Sequence, residues 1–167
     1  MRLRPFEPTD GPATLAIFRA AIRVTAAADY SPEQIEAWAG TDVTPEQWSA
    51  KRTATDTVVA EIDGRVAGFT DLDDSGHIDM LFVDPEQSRR GVATALLEWA
   101  LTRARDLGIA EVNTHASLTA RPFFEHHGFT VTRRQHPVIR GVEMTNFAMR
   151  RAVLRHRAEA HPRPTTP

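Results

Sequence analysis

Along the chain, apolar residues switch repeatedly between helical and strand spacing. Leu15, Phe18, Ile22 and Thr25 recur at helical intervals behind the breakers Pro5, Pro8 and Gly11-Pro12, which predicts a first helix over 12–26 with Asp10 as its N-cap. Met1 to Arg4 alternates around Leu3 and reads as a short strand before it. Ser31 and Pro32 open a second helix with an acidic first turn, which Gly40 ends, and 45–52 adds a further helical turn. Two β-rich runs follow, 57–62 and 65–72, separated by Asp63-Gly64, the strongest short hairpin signal in the chain.

A third strand is predicted over 76–83, stopped by Asp84-Pro85. The period then changes: Val92, Leu96, Ala100, Ala104 and Leu107 mark a long amphipathic helix over 91–106, closed by Gly108. A strand over 109–115 enters another helix, which Ser117 or Thr119 can cap, Pro122 tolerates in its first turn and Gly128 closes. Strands over 129–133 and 144–149 complete the pattern. Strand, helices, three strands, helix, strand, helix and two strands define a mixed α/β (α+β) sandwich, with no internal repeat.

Composition narrows the chemistry. The 167 residues carry 20 Lys+Arg against 22 Asp+Glu and no cysteine. Thiolate metal sites, disulfides and an acyl-cysteine intermediate are excluded. The balanced charge argues against nucleic acid as a partner, and Arg133-Arg134 reads as a solvated face. Nothing in the chain is long and apolar enough for a membrane span, and the first residues lack a secretory pattern, so the expectation is a cytoplasmic protein without a membrane partner. One domain is expected over 1–152. The polar, proline-rich remainder, 153–167, reads as a disordered tail.

The most informative segment runs from Leu81-Phe82-Val83 through Asp84-Pro85-Glu86-Gln87 to Ser88-Arg89-Arg90-Gly91-Val92-Ala93, a strand passing through a basic, glycine-containing turn into a helix. Unpaired N–H groups and a positive dipole at the helix start make such a turn an anion site. A capped surface helix with two solvated arginines fits the same residues. The turn lacks the Gly-Lys-Ser/Thr of a Walker loop and the repeated glycines of a dinucleotide fingerprint.

The run Ser88 to Ala93 resembles the Q/R-x-x-G-x-G/A pyrophosphate loop of the GNAT superfamily of acetyl-CoA-dependent N-acetyltransferases. Ala120-Arg121-Pro122-Phe123-Phe124-Glu125-His126-His127-Gly128-Phe129 is similar to its second signature, A-x-x-F-Y-E-x-x-G-F. The resemblance covers about 2–151, and its combination of segments is similar to the YafP-like branch. It implies the GNAT acyl-CoA N-acyltransferase fold, a mixed, mostly antiparallel splayed sheet flanked by helices, with acetyl-CoA wedged between the strand ending at Val83 and the one ending near His115. The backbone of Leu81, Phe82 and Val83 would meet the pantetheine arm. Ser88, Arg89, Arg90, Gly91, Val92, Ala93 and Thr94 would hold the pyrophosphate, and Ser117 and Phe124 would adjoin the cofactor. Ser88 departs from the usual Gln or Arg. Phe124 stands where a tyrosine often protonates the leaving thiolate, and it has no proton to give.

An amine attacking a thioester needs a base and charge stabilisation, not an acyl-enzyme. On an ideal strand His77 and Asp79 share a face, and in some members of the superfamily these positions relay the proton. An unperturbed imidazole titrates at about 6.5, suited to that task. Both side chains also fit plain structural hydrogen bonds. Tyr30, the only tyrosine, is a third catalytic candidate, alongside His115 or water as the acid. Trp38 reads as core or pocket wall. His126 and His127 have the wrong spacing for paired ligands, so no metal is expected. Arg140, Gly141 and Asn146 match the branch near the substrate mouth. The expected function is transfer of acetyl from acetyl-CoA to a primary amine, of a small molecule or a protein, in a ternary complex. The alternative is a non-catalytic acyl-CoA sensor or interaction module. The resemblance also carries the expectation of a homodimer through edge strands.

Overall fold

At the Asp63-Gly64 turn both residues adopt positive φ, 51° and 75°, the conformation that matches the twist of two antiparallel strands. It joins β2 (Asp56–Ile62) to β3 (Arg65–Leu72). The computed structural model describes residues 1–40 and 42–153. The tail read over 153–167 therefore lies outside the described residues except for Val153, which is buried and donates its N–H to the Ala110 carbonyl.

β1 (Arg2–Pro5) precedes α1 (Gly11–Ala20), α2 (Pro32–Ala39) and α3 (Pro45–Thr53). After the β2–β3 hairpin come β4 (His77–Ile78), β5 (Leu81–Val83), α4 (Val92–Asp106), β6 (Glu111–Ser117), α5 (Arg121–His126) and β7 (Thr130–Gln135). A small hairpin, β8 (Val138–Ile139) and β9 (Val142–Glu143), leads to β10 (Asn146–Ala152). One sheet has the order β1-β2-β3-β5, the other β4-β6-β10-β7. Every pairing is antiparallel except β4 with β6. The apolar face of α4 buries Leu96, Leu97, Ala100 and Ala104 completely, and each such leucine contributes about 1.5–3 kcal/mol.

Three details differ from the sequence reading. The first helix passes at Ala21–Thr25 into a π-helical stretch and then a 3-10 turn, which puts Ile22 and Ala26 in a cluster with Tyr30, Ile35 and Met144. Asp10 does not cap α1 with its side chain. Its carboxylate is taken by two Arg4 nitrogens, at 2.7 and 2.9 Å, and by the Glu7 N–H at 2.8 Å.

The third difference shapes the site. The strand predicted over 76–83 is broken, because the N–H groups of Asp79 and Met80 turn away from any ladder to the Asp71 carboxylate, 2.9 Å each. The Met80 carbonyl accepts from the Thr70 hydroxyl at 2.7 Å and from the Asp71 N–H at 3.2 Å. Side chains of β3 thus replace strand pairing at two residues. Before the break β4 pairs with β6, and after it β5 pairs with β3. The two sheets part there.

Candidate active site

The parting leaves a cavity of about 540 Å³ between β5 and β6. Among the sequence-predicted residues, Tyr30, His77, Asp79, Leu81, Phe82, Ser117 and Phe124 line it. Val83 and the Ser88 to Thr94 turn lie outside its lining, Val83 packing instead against the cluster that contains Val92 and Leu96. His77 and Asp79 reach the same cavity although the strand between them is interrupted, so strand alternation is not what brings them together.

His77 sits at the start of β4, directly across from Asn113 on β6. Its Nδ1 is 2.6 Å from the Asn113 Oδ1, while the Asn113 amide nitrogen faces the Gly76 carbonyl at 3.5 Å. That arrangement assigns Oδ1 as acceptor and places the proton on Nδ1, leaving Nε2 with a free lone pair. The His115 ring lies edge-on to His77, with centroids 5.1 Å apart. Burial, then the nearby His77 and Arg133, pull the His115 imidazole below its ordinary value. The unfolded chain therefore takes up this proton first as pH falls, and the stability His115 contributes above the ordinary histidine range is lost as pH drops through it. His115→Gln is expected to flatten the fall in thermal midpoint between pH 7.5 and 5.5, read by differential scanning at both pH values.

Asp79 is half-exposed and faces two cations, Arg52 at 3.6 Å and Lys51 at 3.9 Å. Arg52 is the largest fully buried side chain described, and it donates to the equally buried Asp71. Burial pushes the Asp71 carboxyl up, against the pull of the Met80 N–H and the Arg52 guanidinium. Neither Arg52 nor Asp71 stood out in the sequence. An arginine in an amphipathic helix and an aspartate near a strand end read as surface charges.

Tyr30 joins distant parts of the wall. Its hydroxyl donates to the Thr145 carbonyl at 2.6 Å and accepts from the Leu118 N–H at 2.9 Å, and burial pushes its pKa up. Trp38 packs edge-on to it at 5.4 Å, in a wall continued by Phe18 and Phe82. The Phe82 ring stacks on Phe69 at 5.9 Å, which leaves its backbone rather than its side chain for any cofactor contact. The Ser117 hydroxyl accepts from the Ala120 N–H at 3.0 Å. Phe124 is buried against Phe123 and Phe129.

At the head of α4, Arg89 and Gly91 both hold positive φ, 62° and 79°. The N–H groups from Arg89 to Thr94 find no carbonyl among the described residues, so six consecutive donors face outward at the positive end of a fifteen-residue helix. Thr94 also meets the His127 Nε2 at 3.5 Å, and His127 Nδ1 sits 2.8 Å from the Phe123 carbonyl, which makes Nε2 the acceptor. That histidine is missed by reading it as helix surface. A Cβ at Gly91 meets no atom within 4 Å, but the left-handed backbone strains any other residue by about 1–2 kcal/mol. Gly91→Val is expected to weaken acetyl-CoA binding about tenfold or more, measured by calorimetry. Unchanged affinity would remove this turn from the cofactor site. Among the described residues, no group of three or more His, Asp or Glu side chains could hold a metal.

A parted sheet, an anion cradle at a helix start and an imidazole in the cleft between them define an acyltransferase architecture. The Acetyltransferase (GNAT) domain model matches residues 26–151, and the chain belongs to this family. It is 41% identical over 150 residues to the uncharacterized N-acetyltransferase YafP of Escherichia coli (strain K12), covering 90% of this chain and 95% of that protein. A GCN5-related N-acetyltransferase structure from Rhodopseudomonas palustris superposes with a TM-score of 0.87 at 34% identity, over 90% of this chain and 94% of that one. The PaiA N-acetyltransferase of Thermoplasma acidophilum, solved with coenzyme A, shares the fold at a TM-score of 0.76 and 20% identity, over 90% and 98% of the two chains.

Proposed function

We propose that the chain is an acetyl-CoA-dependent N-acetyltransferase that moves acetyl to a primary amine by direct attack in a ternary complex. The observation that carries this reading is the oriented imidazole: His77, its Nδ1 held by Asn113, lines the cavity between β5 and β6 with Nε2 free, in a molecule that also turns a row of unpaired amides outward at the head of α4. The Thermoplasma protein, which shares the fold, was solved with coenzyme A, and that supports a coenzyme A thioester as the donor.

Acetyl-CoA supplies an activated acyl carbonyl when bound. The amides of Arg89 to Thr94 fit its pyrophosphate, and the backbone of Leu81 and Phe82 fits its arm. The neutral amine attacks, His77 Nε2 takes the proton that its nitrogen loses as it bonds to the carbonyl carbon, and His115 beside it, pulled below its ordinary value by burial, adds little opposing charge. The new N–C bond forms as the C–S bond breaks, and the thiolate takes its proton from solvent. We assign Tyr30 to holding the wall, since releasing its proton would give up the bond to Thr145.

Release of free CoA thiol over a panel of amines, polyamines, aminoglycosides and peptide N-termini tests the reading. A cysteine-free protein adds no background thiol. Amine-dependent release is the expected result. Tight acetyl-CoA binding without release from any acceptor would favour the acyl-CoA sensor, the reading to which Phe124, buried and without a proton to give, lends its weight.

A further inference from the structure

The second sheet has one face turned to the core and one that is polar and open. Paired positions on neighbouring strands project to the same side, so the register sets side chains in rows. Asn113 pairs with His77, Ser117 with Asn146 and Asn146 with Gln135. Between these rows His115 on β6 pairs with Ala148 on β10, and Ala148 with Arg133 on β7. With only a methyl group in the middle, Arg133 has a clear path toward His115. These residues belong to a second groove of about 420 Å³, which shares His115, Pro137 and Asn146 with the main cavity.

Among the residues lining this groove the charge is one-sided. Among the described residues neither Arg133 nor Arg134 has a carboxylate within 4 Å, unlike Arg4, Arg52, Arg103, Arg121, Arg140 and Arg150. His136 at the groove's rim faces the Glu143 carboxylate at 3.7 Å. In the main cavity Asp79 is the carboxylate among the lining residues, and Lys51 and Arg52 already face it. No spare negative charge is left to hold an ammonium. Asn146, at the junction of the two spaces, has its Oδ1 fully buried with no hydrogen-bond partner.

We propose that the acceptor is an amino carboxylate with an apolar body: Arg133 holds its carboxylate on the open sheet face, the Phe18, Trp38 and Phe82 wall takes the body, and the amino group is left toward His77. The proposal rests on the acetyltransferase reading. The excess of cations around the cavity also favours the neutral form of the bound amine, the form that attacks. A polycation has no place here.

Thiol release with acetyl-CoA tests this on three matched acceptors: phenylalanine, phenylalaninamide and phenethylamine. The amide removes the negative charge while making the amine less basic, so a preference for the acid cannot arise from basicity. Phenylalanine is expected to exceed both in kcat/KM by about tenfold or more. Arg133→Ala, an exposed position, is expected to cut kcat/KM for phenylalanine about tenfold, mainly through KM, and to narrow its lead over phenethylamine, with Arg133→Lys recovering part. Faster turnover of phenethylamine or of a polyamine, or an equal loss on all three acceptors in Arg133→Ala, would overturn the amino-carboxylate assignment while leaving the acetyltransferase intact. Acetyl-CoA binding without release from any amine overturns the enzyme reading and this assignment with it.

Discussion

Arg52→Met is expected to lower the unfolding free energy by about 3–5 kcal/mol, because it strands the Asp71 carboxylate in a site where both partners are 1% exposed. The loss should reach beyond stability. Asp71 spends its second oxygen on the N–H groups of Asp79 and Met80, and those two bonds are what divert the chain from β6 to β3. A weakened Asp71 therefore loosens the parting of the sheets. The double variant Arg52→Met with Asp71→Leu removes the orphaned charge and should regain part of the stability, as apolar replacements of buried ion pairs do. It should not regain turnover, since leucine offers the Asp79 and Met80 N–H groups no acceptor. Urea unfolding of the three proteins, read beside thiol release, separates the two effects. A loss below 1 kcal/mol in the single variant would show that water reaches Asp71 when its partner is gone.

His77→Ala is expected to reduce kcat by about 10²–10⁴-fold with the acetyl-CoA affinity kept, the range for a positioned general base. Asn113→Leu should fall between this variant and the native protein. It leaves the imidazole in place but frees its tautomer, so the defect should lie in kcat and in the pH–rate limb that reports the base. Equal rates in native protein and His77→Ala would move the proton's destination to water or His115.

Much of this arrangement can be read from the amino acids where a local signal dominates. Asp63-Gly64 announces its hairpin because only a few residues accept two successive positive φ values. Ser31-Pro32 with Gln34 announces α2, and the reciprocal bonds are there, the Gln34 N–H to the Ser31 hydroxyl at 3.2 Å and the Ser31 N–H to Gln34 Oε1 at 3.0 Å. The turn from Ser88 to Ala93 is equally local. What escapes is whatever depends on a long-range partner. The break at Asp79-Met80 is invisible because its cause, Asp71, lies on another strand and its counter-ion on a helix before the hairpin. Asn113 looks like any polar strand residue until His77 is set opposite it. The β8–β9 hairpin also escapes, since it has two residues per strand and turns on Arg140-Gly141 rather than on a strong signal.

The ties that hold that hairpin and the residues just after it to α2 and the turn before it span most of the chain. Tyr30 reaches Thr145 across 115 positions, Gln34 reaches Glu143 across 109, and Arg140 reaches Ala37 across 103. Contacts of such separation form late, because a long loop must close before any of them is made. The cradle at α4 and its neighbouring β5 close over a few residues. During synthesis the half built on β5 and the head of α4 can thus be complete while the wall shared by α2 and the β8–β9 hairpin still waits for the last strands to leave the ribosome. In the finished protein the same wall is held by a handful of bonds at its seam, so its bonded amides should exchange ahead of those in the body of α4, while the unpaired amides at the head of α4 exchange without any opening. On the proposed function, selectivity for the acceptor resides in the least firmly stitched part of the molecule, where sequence change disturbs the cofactor half least.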